Sequence, residues 1–276
     1  MNHKMTLSII TINYNNCDGL KRTIDSVVSQ TFTDYEWIVI DGGSNDGSKD
    51  LIEKYKEHFA YWVSEPDGGI YQAMNKGIEH ASGDWFLFLN SGDWLYGNNV
   101  LSKVFSSNHD ADILYGDVMY HWPDSRGIEL EKKPDSLSLY FFYSDTLCHQ
   151  ATFYKKEIFG THRYNENYRI CSDWALYIQL LTEGYKFSHL PICITNFAQD
   201  GISTNLNESH LAERKRVIEE YIPSYIIPDL ERLRIIDERK KHIASHRSYQ
   251  LIMNRADRRV LRLEKMIKCI EKWRSK

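Results

Sequence analysis

No two cysteines in this chain form a C-x-x-C pair. The five present, Cys17, Cys148, Cys171, Cys193 and Cys269, are odd in number and widely spaced. That argues against a disulfide framework or a zinc knuckle and fits a reducing compartment. The N-terminus, Met1 to Thr6, lacks the apolar core of a signal peptide. No run approaches the roughly 20 apolar residues that a membrane-spanning helix requires. The expectation is therefore a cytoplasmic protein, soluble or peripheral at the inner face of the cell membrane. G-x-G-x-x-G and G-x-x-x-x-G-K-[ST] are also missing, so dinucleotide-binding and P-loop chemistries have no motif behind them.

The length of 276 residues suffices for one large domain with an appendage. Seven Trp and eighteen Tyr make the chain rich in aromatic rings. Such rings fill cores and rims, and their faces also pack against the C–H face of a pyranose. The formal charge of −4 hides an asymmetry: from Glu231 to Lys276 there are 15 Lys+Arg against 6 Asp+Glu, a net of +9, which leaves −13 on the remainder. A basic tail on an acidic body suits an anionic partner.

Leu7–Asn13 is β-branched and apolar and reads as a buried strand. Asp18 is placed to cap a helix carrying Leu20, Ile24, Val27 and Val28 on one face. Strand then alternates with helix: Trp37–Ile40, a helical face at Leu51, Ile52 and Tyr55, a strand over Phe59–Val63, a helix over Ile70–His80 with Ala73, Met74 and Ile78, and a strand over Trp85–Leu89. This rhythm predicts an α/β unit with a parallel sheet and right-handed crossovers. Beyond residue 105 the rhythm changes. Asp112–His121 and Ile128–Lys133 read as a hairpin, Ser172–Thr182 as a helix with Trp174, Ile178 and Leu181 inward, and Tyr185–Phe197 as a strand. From Ser203 onward the chain reads as helical, with a break at Pro223.

Ligands of open parallel sheets bind beyond the carboxyl ends of the strands. The four strand ends here are Asn13-Tyr14-Asn15, Asp41-Gly42-Gly43, Glu65-Pro66-Asp67-Gly68-Gly69 and Asn90-Ser91-Gly92-Asp93. One Asp/Gly loop is an ordinary turn. Four polar loops on one edge, three with glycine, describe a place where a ligand comes close to the backbone.

These same segments carry a resemblance. The runs SIITINYNN from Ser8 to Asn16, SVVSQ from Ser26 to Gln30 and IDGGSNDG from Ile40 to Gly47 resemble glycosyltransferase family 2. The stretches SEPDGGIYQAMNKGI from Ser64 to Ile78 and ASGDWFLFLNSGD from Ala81 to Asp93 resemble its bacterial surface-polysaccharide branch, which includes colanic-acid-type enzymes. The resemblance spans about residues 6–205. It implies an α/β GT-A fold, with a Rossmann-like, mostly parallel central sheet flanked by helices and a C-terminal helical extension. Residues 1–105 would form the nucleotide-sugar half, 106–210 the acceptor half and 211–276 the basic tail.

The resemblance also implies roles. Asp41 stands where the family reads the nucleotide base, with Asn13, Tyr14 and Asp67 at the same pocket. Lys76 is placed to counter phosphate charge, or is a solvated helix lysine. The family's D-x-D region falls on Asn90 and Gly92, leaving Asp93 as the carboxylate for a divalent cation, Mn²⁺ or Mg²⁺, and Asn90 as a nucleotide contact. Ile12-Asn13 departs from the family's common Pro-Thr. Asp173, at the start of the helix over Ser172–Thr182, matches the base that takes the acceptor proton; taken alone it is a first-turn aspartate favoured by the helix dipole. His149 matches a position facing the acceptor or the diphosphate, Trp174 is either core or an acceptor platform, and Asp200–Ser203 resembles a late active-site loop.

The implied activity is sugar transfer with inversion from a nucleotide-sugar donor, UDP favoured by the resemblance alone, to a saccharide or polyprenyl-diphosphate-linked acceptor in polysaccharide biosynthesis. In the tail, Val260, Leu263, Ile267, Ile270 and Trp273 recur at helical spacing among Arg and Lys. That pattern suits an anionic membrane surface or packing on another surface; no nucleic-acid motif accompanies it. The rival readings are a nucleotidyltransferase, which would need a glycine- and basic-rich phosphate loop near the N-terminus, and a non-catalytic sugar-nucleotide-binding protein. A glycosidase is a weaker rival still, since it needs a second carboxylate across the bond from Asp173.

Overall fold

Strand β1 (Leu7–Asn13) is buried along its whole length. It runs parallel to β2 (Tyr35–Asp41) on one side and to β4 (Trp85–Phe88) on the other, and β2 runs parallel to β3 (Tyr61–Ser64). A strand buried on both faces needs apolar side chains at every position, which is what the sequence of β1 supplies. The computed structural model describes residues 7–107, 109–122, 125–198 and 208–245.

The two faces of this parallel core separate by the two-residue period of the strands. Leu7 and Ile9 pack with Trp37, Val39 and Leu87, and with Leu20, Ile24 and Val27 of α1 (Cys17–Val28) and Ile52 of α2 (Ser48–Lys54). Ile10 points the other way, to α3 (Ile70–His80). There Gly77 allows close approach, since a Cβ on it would meet Ile10 Cγ2. Phe86 and Phe88 face the same side and enter an aromatic layer with Tyr154, Phe159 and Tyr164. Each such fully buried side chain contributes about 1.5–3 kcal/mol relative to exposure.

The rest of the sheet is mixed. Beyond a short β5 (Trp94–Leu95) and α4 (Val100–Val104), β6 (Ile113–His121) and β7 (Ile128–Glu131) form an antiparallel hairpin. After α5 (Leu139–Ser144), β8 (Thr152–Lys155) inserts antiparallel between β4 and β6. Two helices follow, α6 (Ile158–Thr161) and α7 (Ser172–Thr182), and then β9 (Phe187–Ala198), which runs parallel to β6 with a bulge at Gly116 and Asp117 and antiparallel to β5. The strand order is β3-β2-β1-β4-β8-β6-β9-β5, with β7 on β6. The parallel sheet expected from the sequence is therefore its first four strands.

Helix α8 (Glu208–Tyr221) closes the first of two units, Met1–Pro223. The second unit, Ser224–Lys276, contains α9 (Ile227–Ser245), whose Leu233, Ile236 and Ile243 are exposed. No helix among the described residues is long and apolar enough to cross a membrane. The Asp200–Ser203 loop and the basic helix through Trp273 lie outside the described residues.

Local details differ from the sequence reading. Asn16, not Asp18, caps α1, its side chain accepting from Gly19 N, and Val28 is exposed. The helix starts two residues earlier because Asn16 already offers the oxygen that the first turn needs. Strand β8 lacks turn signals and a length that would set it apart from the irregular chain around it.

Candidate active site

The ends of β1, β2 and β3 are in register: Asn13 pairs with Asp41, and Asp41 with Ser64. Asp41 is fully buried. Its Oδ1 accepts from Asn13 Nδ2 at 2.6 Å and Ser44 Oγ at 2.5 Å, and its Oδ2 from Ser64 Oγ at 2.6 Å and Ser44 N at 2.9 Å. A carboxylate out of water has to be satisfied in this way. Burial alone would raise its pKa, but the hydrogen bonds from Ser44, Ser64 and Asn13 outweigh it and hold the group below the ordinary carboxylate range. Asp41 thus lies under the floor of the strand-end cleft, where its oxygens are taken up by the protein. The sequence reading places it against the nucleotide base; here its carboxylate is buried and holds four protein donors. Asn13 shares that position: its Nδ2 also reaches Ser44 Oγ at 3.2 Å, and its Oδ1 is buried with no protein partner.

The same network shapes the loop above. Asn15 is the one described non-glycine residue in the left-handed region, at φ 46°, and its Oδ1 accepts from Asn45 N at 2.9 Å. Its own N–H donates to Ser44 Oγ at 2.7 Å. Tied at both sides, the turn presents Tyr14 outward, 67% exposed. Across from it, Asp67 Oδ1 accepts from Gly69 N at 2.9 Å. Between the two lies Gly42. A Cβ there would stand 2.9 Å from Asp67 Oδ2 and 3.1 Å from the Tyr14 ring. The free carboxylate oxygen of Asp67 and the Tyr14 face therefore meet over a bare stretch of backbone. Lys76 is turned to Glu65 Oε1, 2.6 Å away, so its charge is already paired.

At the end of β4 the turn is pinned to α1. Gly92, at φ 104°, donates its N–H to Thr23 Oγ1 at 3.1 Å, and Thr23 Oγ1 donates to the Asp93 carbonyl at 2.7 Å. Asn16 Nδ2 donates to the Ser91 carbonyl at 3.0 Å. Asp93 is mostly buried. No group of three His, Cys, Asp or Glu side chains suited to a metal occurs among the described residues. Two oxygen donors are nonetheless in this turn: the Asp93 carboxylate and Asn90 Oδ1, which is buried with no protein partner. Oxygen donors few in number fit a hard dication that shares its shell with substrate phosphates and water.

Facing this turn is a hydrogen-bonded row. Asn90 Nδ2 stands 3.0 Å from His149 Nε2, and His149 Nδ1 stands 3.1 Å from Asp173 Oδ2. An ionised carboxylate only accepts, so Nδ1 carries the proton and Nε2 accepts from the amide of Asn90. On its other oxygen, Asp173 Oδ1 accepts from Tyr71 OH at 3.1 Å and from Trp174 N at 2.9 Å. Asp173 keeps 18% of its side chain open to solvent. Burial and the charge of Asp173 push the Tyr71 hydroxyl well above its ordinary pKa, so it stays a donor. A held but reachable carboxylate of this kind is equipped to take a proton. Trp174 cannot stack against an acceptor. It is 3% exposed, and its Nε1 donates to the Phe142 carbonyl at 2.6 Å, which corrects the acceptor reading of this ring.

Sequence reasoning missed Ser44, Ser64 and Tyr71. Ser44 and Ser64 lay within the runs IDGGSNDG and SEPDGGIYQAMNKGI, and the β2–β3 register would have exposed Ser64 as a partner for Asp41. Tyr71 had no signal, because its target is 102 residues away in sequence.

The family model described as glycosyl transferase family 2 matches residues 8–183. The chain is similar to the PGL/p-HBAD biosynthesis glycosyltransferase of Mycobacterium bovis, 33% identical over 182 residues, covering 62% of this chain and 68% of that protein. It is also similar to a glycosyltransferase of Mycobacterium tuberculosis, 41% identical over 155 residues, covering 54% of this chain and 58% of that one. Among solved structures, a fragment of S. aureus TarS in complex with UDP-GlcNAc aligns at TM-score 0.61 and 16% identity, covering 80% of this chain and 68% of that one. A mannosyltransferase from Pyrobaculum calidifontis, in complex with GDP-Man and Mn²⁺, aligns at TM-score 0.59 and 12% identity over 92% of this chain and 84% of that one. At these identities the structural likeness speaks for the fold.

Proposed function

Because the chain belongs to glycosyl transferase family 2 and has the family's GT-A fold, we propose that it transfers a sugar from a nucleotide-sugar donor, UDP-linked, to a saccharide or lipid-linked saccharide acceptor, with inversion, in glycan biosynthesis. The observation that carries this reading is the placement of Asp173. It is held by His149 and Tyr71 and open to solvent, on a row that begins at the β4 turn.

The donor's nucleotide lies along the strand ends, its base in the slot between Tyr14 and Asp67 over Gly42. Asp67 Oδ2 accepts from a base N–H there, and Asn13 and Asp41 hold the loop that forms the slot. TarS and the Pyrobaculum mannosyltransferase, in the structures compared above, hold UDP-GlcNAc and GDP-Man respectively. Asp93 and Asn90 would hold a divalent cation beside the diphosphate. Bound there, such an ion supplies positive charge that offsets the charge growing on the leaving diphosphate.

The acceptor hydroxyl oxygen attacks the anomeric carbon from the side opposite the diphosphate. Its proton passes to Asp173, the new C–O bond forms, and the electron pair of the breaking C–O bond leaves with the nucleoside diphosphate. Configuration inverts in this single displacement. The Nδ1–H of His149 fixes the orientation of the carboxylate, and Oδ2, with one donor against two on Oδ1, keeps the lone pair that accepts the proton. The net of +9 over Glu231–Lys276 supports docking of the tail on an anionic membrane, where a lipid-linked acceptor would be found.

The test is a panel of UDP-, GDP- and dTDP-sugars with candidate acceptors, followed by nucleoside diphosphate release and the anomeric configuration of the product. Release of a nucleoside diphosphate with an inverted linkage supports the proposal. Release of pyrophosphate, or retention of configuration, overturns it.

A further inference from the structure

Helix α7 has no side-chain cap of its own: Cys171 at its N-cap makes no such hydrogen bond. The amides ahead of it are taken up from another element. Glu213, in the middle of α8, is 7% exposed. Its Oε1 accepts from Arg169 N at 2.9 Å, and its Oε2 accepts from Ile170 N at 2.9 Å and Cys171 N at 3.2 Å. Three consecutive backbone amides therefore converge on one buried carboxylate. Such convergence makes an anion nest, and its negative charge lies at the positive end of the α7 dipole.

The clamped segment is tied to the base from a second side. The single proton of Tyr71 OH is shared between the Ile170 carbonyl, at 2.6 Å, and Asp173 Oδ1, at 3.1 Å. Residue 170 thus has its N–H on Glu213 and its C=O on the tyrosine that holds Asp173. The neighbouring residues of α8 grip the same corner. The Arg214 guanidinium lies 4.2 Å from the Trp174 ring centre, and Arg216 lies 4.9 Å from that of Tyr168, whose hydroxyl donates to Glu220 at 2.6 Å. Burial, and then the charges of Asp173 and Glu213, push the Cys171 thiol to about 12, so it remains a neutral neighbour of both carboxylates.

We propose that Glu213 is a positioning residue for sugar transfer: through the amides of residues 169–171 it sets where the Asp173 carboxylate stands, so that α8 forms part of the active site. The inference rests on the reading of Asp173 as the base. Misplacement of a reacting group by about 1 Å can cost about a hundredfold in rate while leaving ground-state binding untouched.

The experiment compares the full-length wild type with Glu213→Gln, Asp173→Asn and the surface control Glu219→Gln. It measures kcat and donor KM by nucleoside diphosphate release, together with hydrogen exchange of the backbone amides. Glu213→Gln keeps the volume but replaces one acceptor oxygen by an NH₂ that opposes the amides. It is expected to lower kcat by about tenfold or more with donor KM within about twofold of wild type. Exchange at Arg169, Ile170 and Cys171 should quicken by about tenfold, with β1 and β4 as protected as before. Glu219→Gln should match wild type in both readouts. Wild-type kcat in folded Glu213→Gln beside a dead Asp173→Asn would overturn the inference alone. Uniform loss of protection across the sheet would show a merely structural role and overturn it too. Full turnover by Asp173→Asn would overturn the base assignment itself.

Discussion

His149 Nδ1 lies 3.1 Å from Asp173 Oδ2, and the far side of the same imidazole accepts from Asn90. The ring therefore joins the turn after β4 to the carboxylate at the start of α7. Removing the carboxylate by Asp173→Asn should lower kcat by about 10³-fold, near the middle of what positioned proton transfer supplies. Nucleotide affinity should stay unchanged. His149→Ala leaves the carboxylate but frees its orientation, so a smaller loss of about 10–100-fold is expected. Donor turnover and nucleotide titration on the same preparations check both. An Asp173→Asn enzyme that turns over normally would remove it from the chemistry.

Gly42 is the floor on which Tyr14 and Asp67 meet. Gly42→Ala would put a methyl 2.9 Å from Asp67 Oδ2, closer than any real Cβ contact tolerates, so the carboxylate must move. Asp67→Asn removes the charge without adding volume. Both should weaken nucleoside diphosphate binding by about tenfold, or about 1.4 kcal/mol, within the range of a charge-assisted hydrogen bond. Calorimetric titration with UDP measures this. Equal affinity in both variants and wild type would place the base elsewhere.

The first ninety residues were legible because local rules agreed there. β1 carries an unbroken apolar run, α3 ends where its apolar spacing ends, and the polar strand ends fall on one edge of a parallel sheet. The direction of side chains was not legible. Asp41 and Asp67 both read as cleft carboxylates, yet the strand register turns Asp41 inward among Ser44, Ser64 and Asn13, and only the loop aspartate stays open. Trp174 follows Asp173 in sequence, but successive residues on a helix point about a quarter-turn apart, and one faces the cleft while the other enters the core. Strand β8 was missed because its four residues sit between a 3-10 turn and a short helix, with neither length nor punctuation to mark them.

Asp41 also sets an acid limit on the fold. Its folded pKa is below the unfolded value of about 3.9. The stability it contributes is thus fully present above that value and is lost as the pH falls through the folded one. Asp41→Asn keeps one acceptor oxygen and loses the charge, which should cost about 2 kcal/mol at neutral pH. The gap should narrow as the pH drops below about 4, because the wild type is then surrendering the same interaction. Urea midpoints from pH 2 to 7 for both proteins give the comparison. A gap that stays constant with pH would mean that the charge of Asp41 contributes nothing.

The two ends of the Asn90 amide differ: Nδ2 donates to His149, while Oδ1 is buried with no protein partner, the position proposed above for a cation. Asn90→Asp would add a carboxylate to the cation's shell, but it would also set an acceptor against His149 Nε2, itself an acceptor. The imidazole can satisfy both carboxylates only by taking a second proton, and an imidazolium grips Asp173 more tightly and weakens it as a base. The variant should therefore need several-fold less Mn²⁺ for half-maximal turnover, yet reach a kcat about tenfold lower. Wild-type turnover should fall on chelation with EDTA and return with Mn²⁺. Initial rates across a Mn²⁺ series decide the matter: a variant with unchanged Mn²⁺ dependence and higher kcat would mean that Asn90 serves neither the cation nor the histidine.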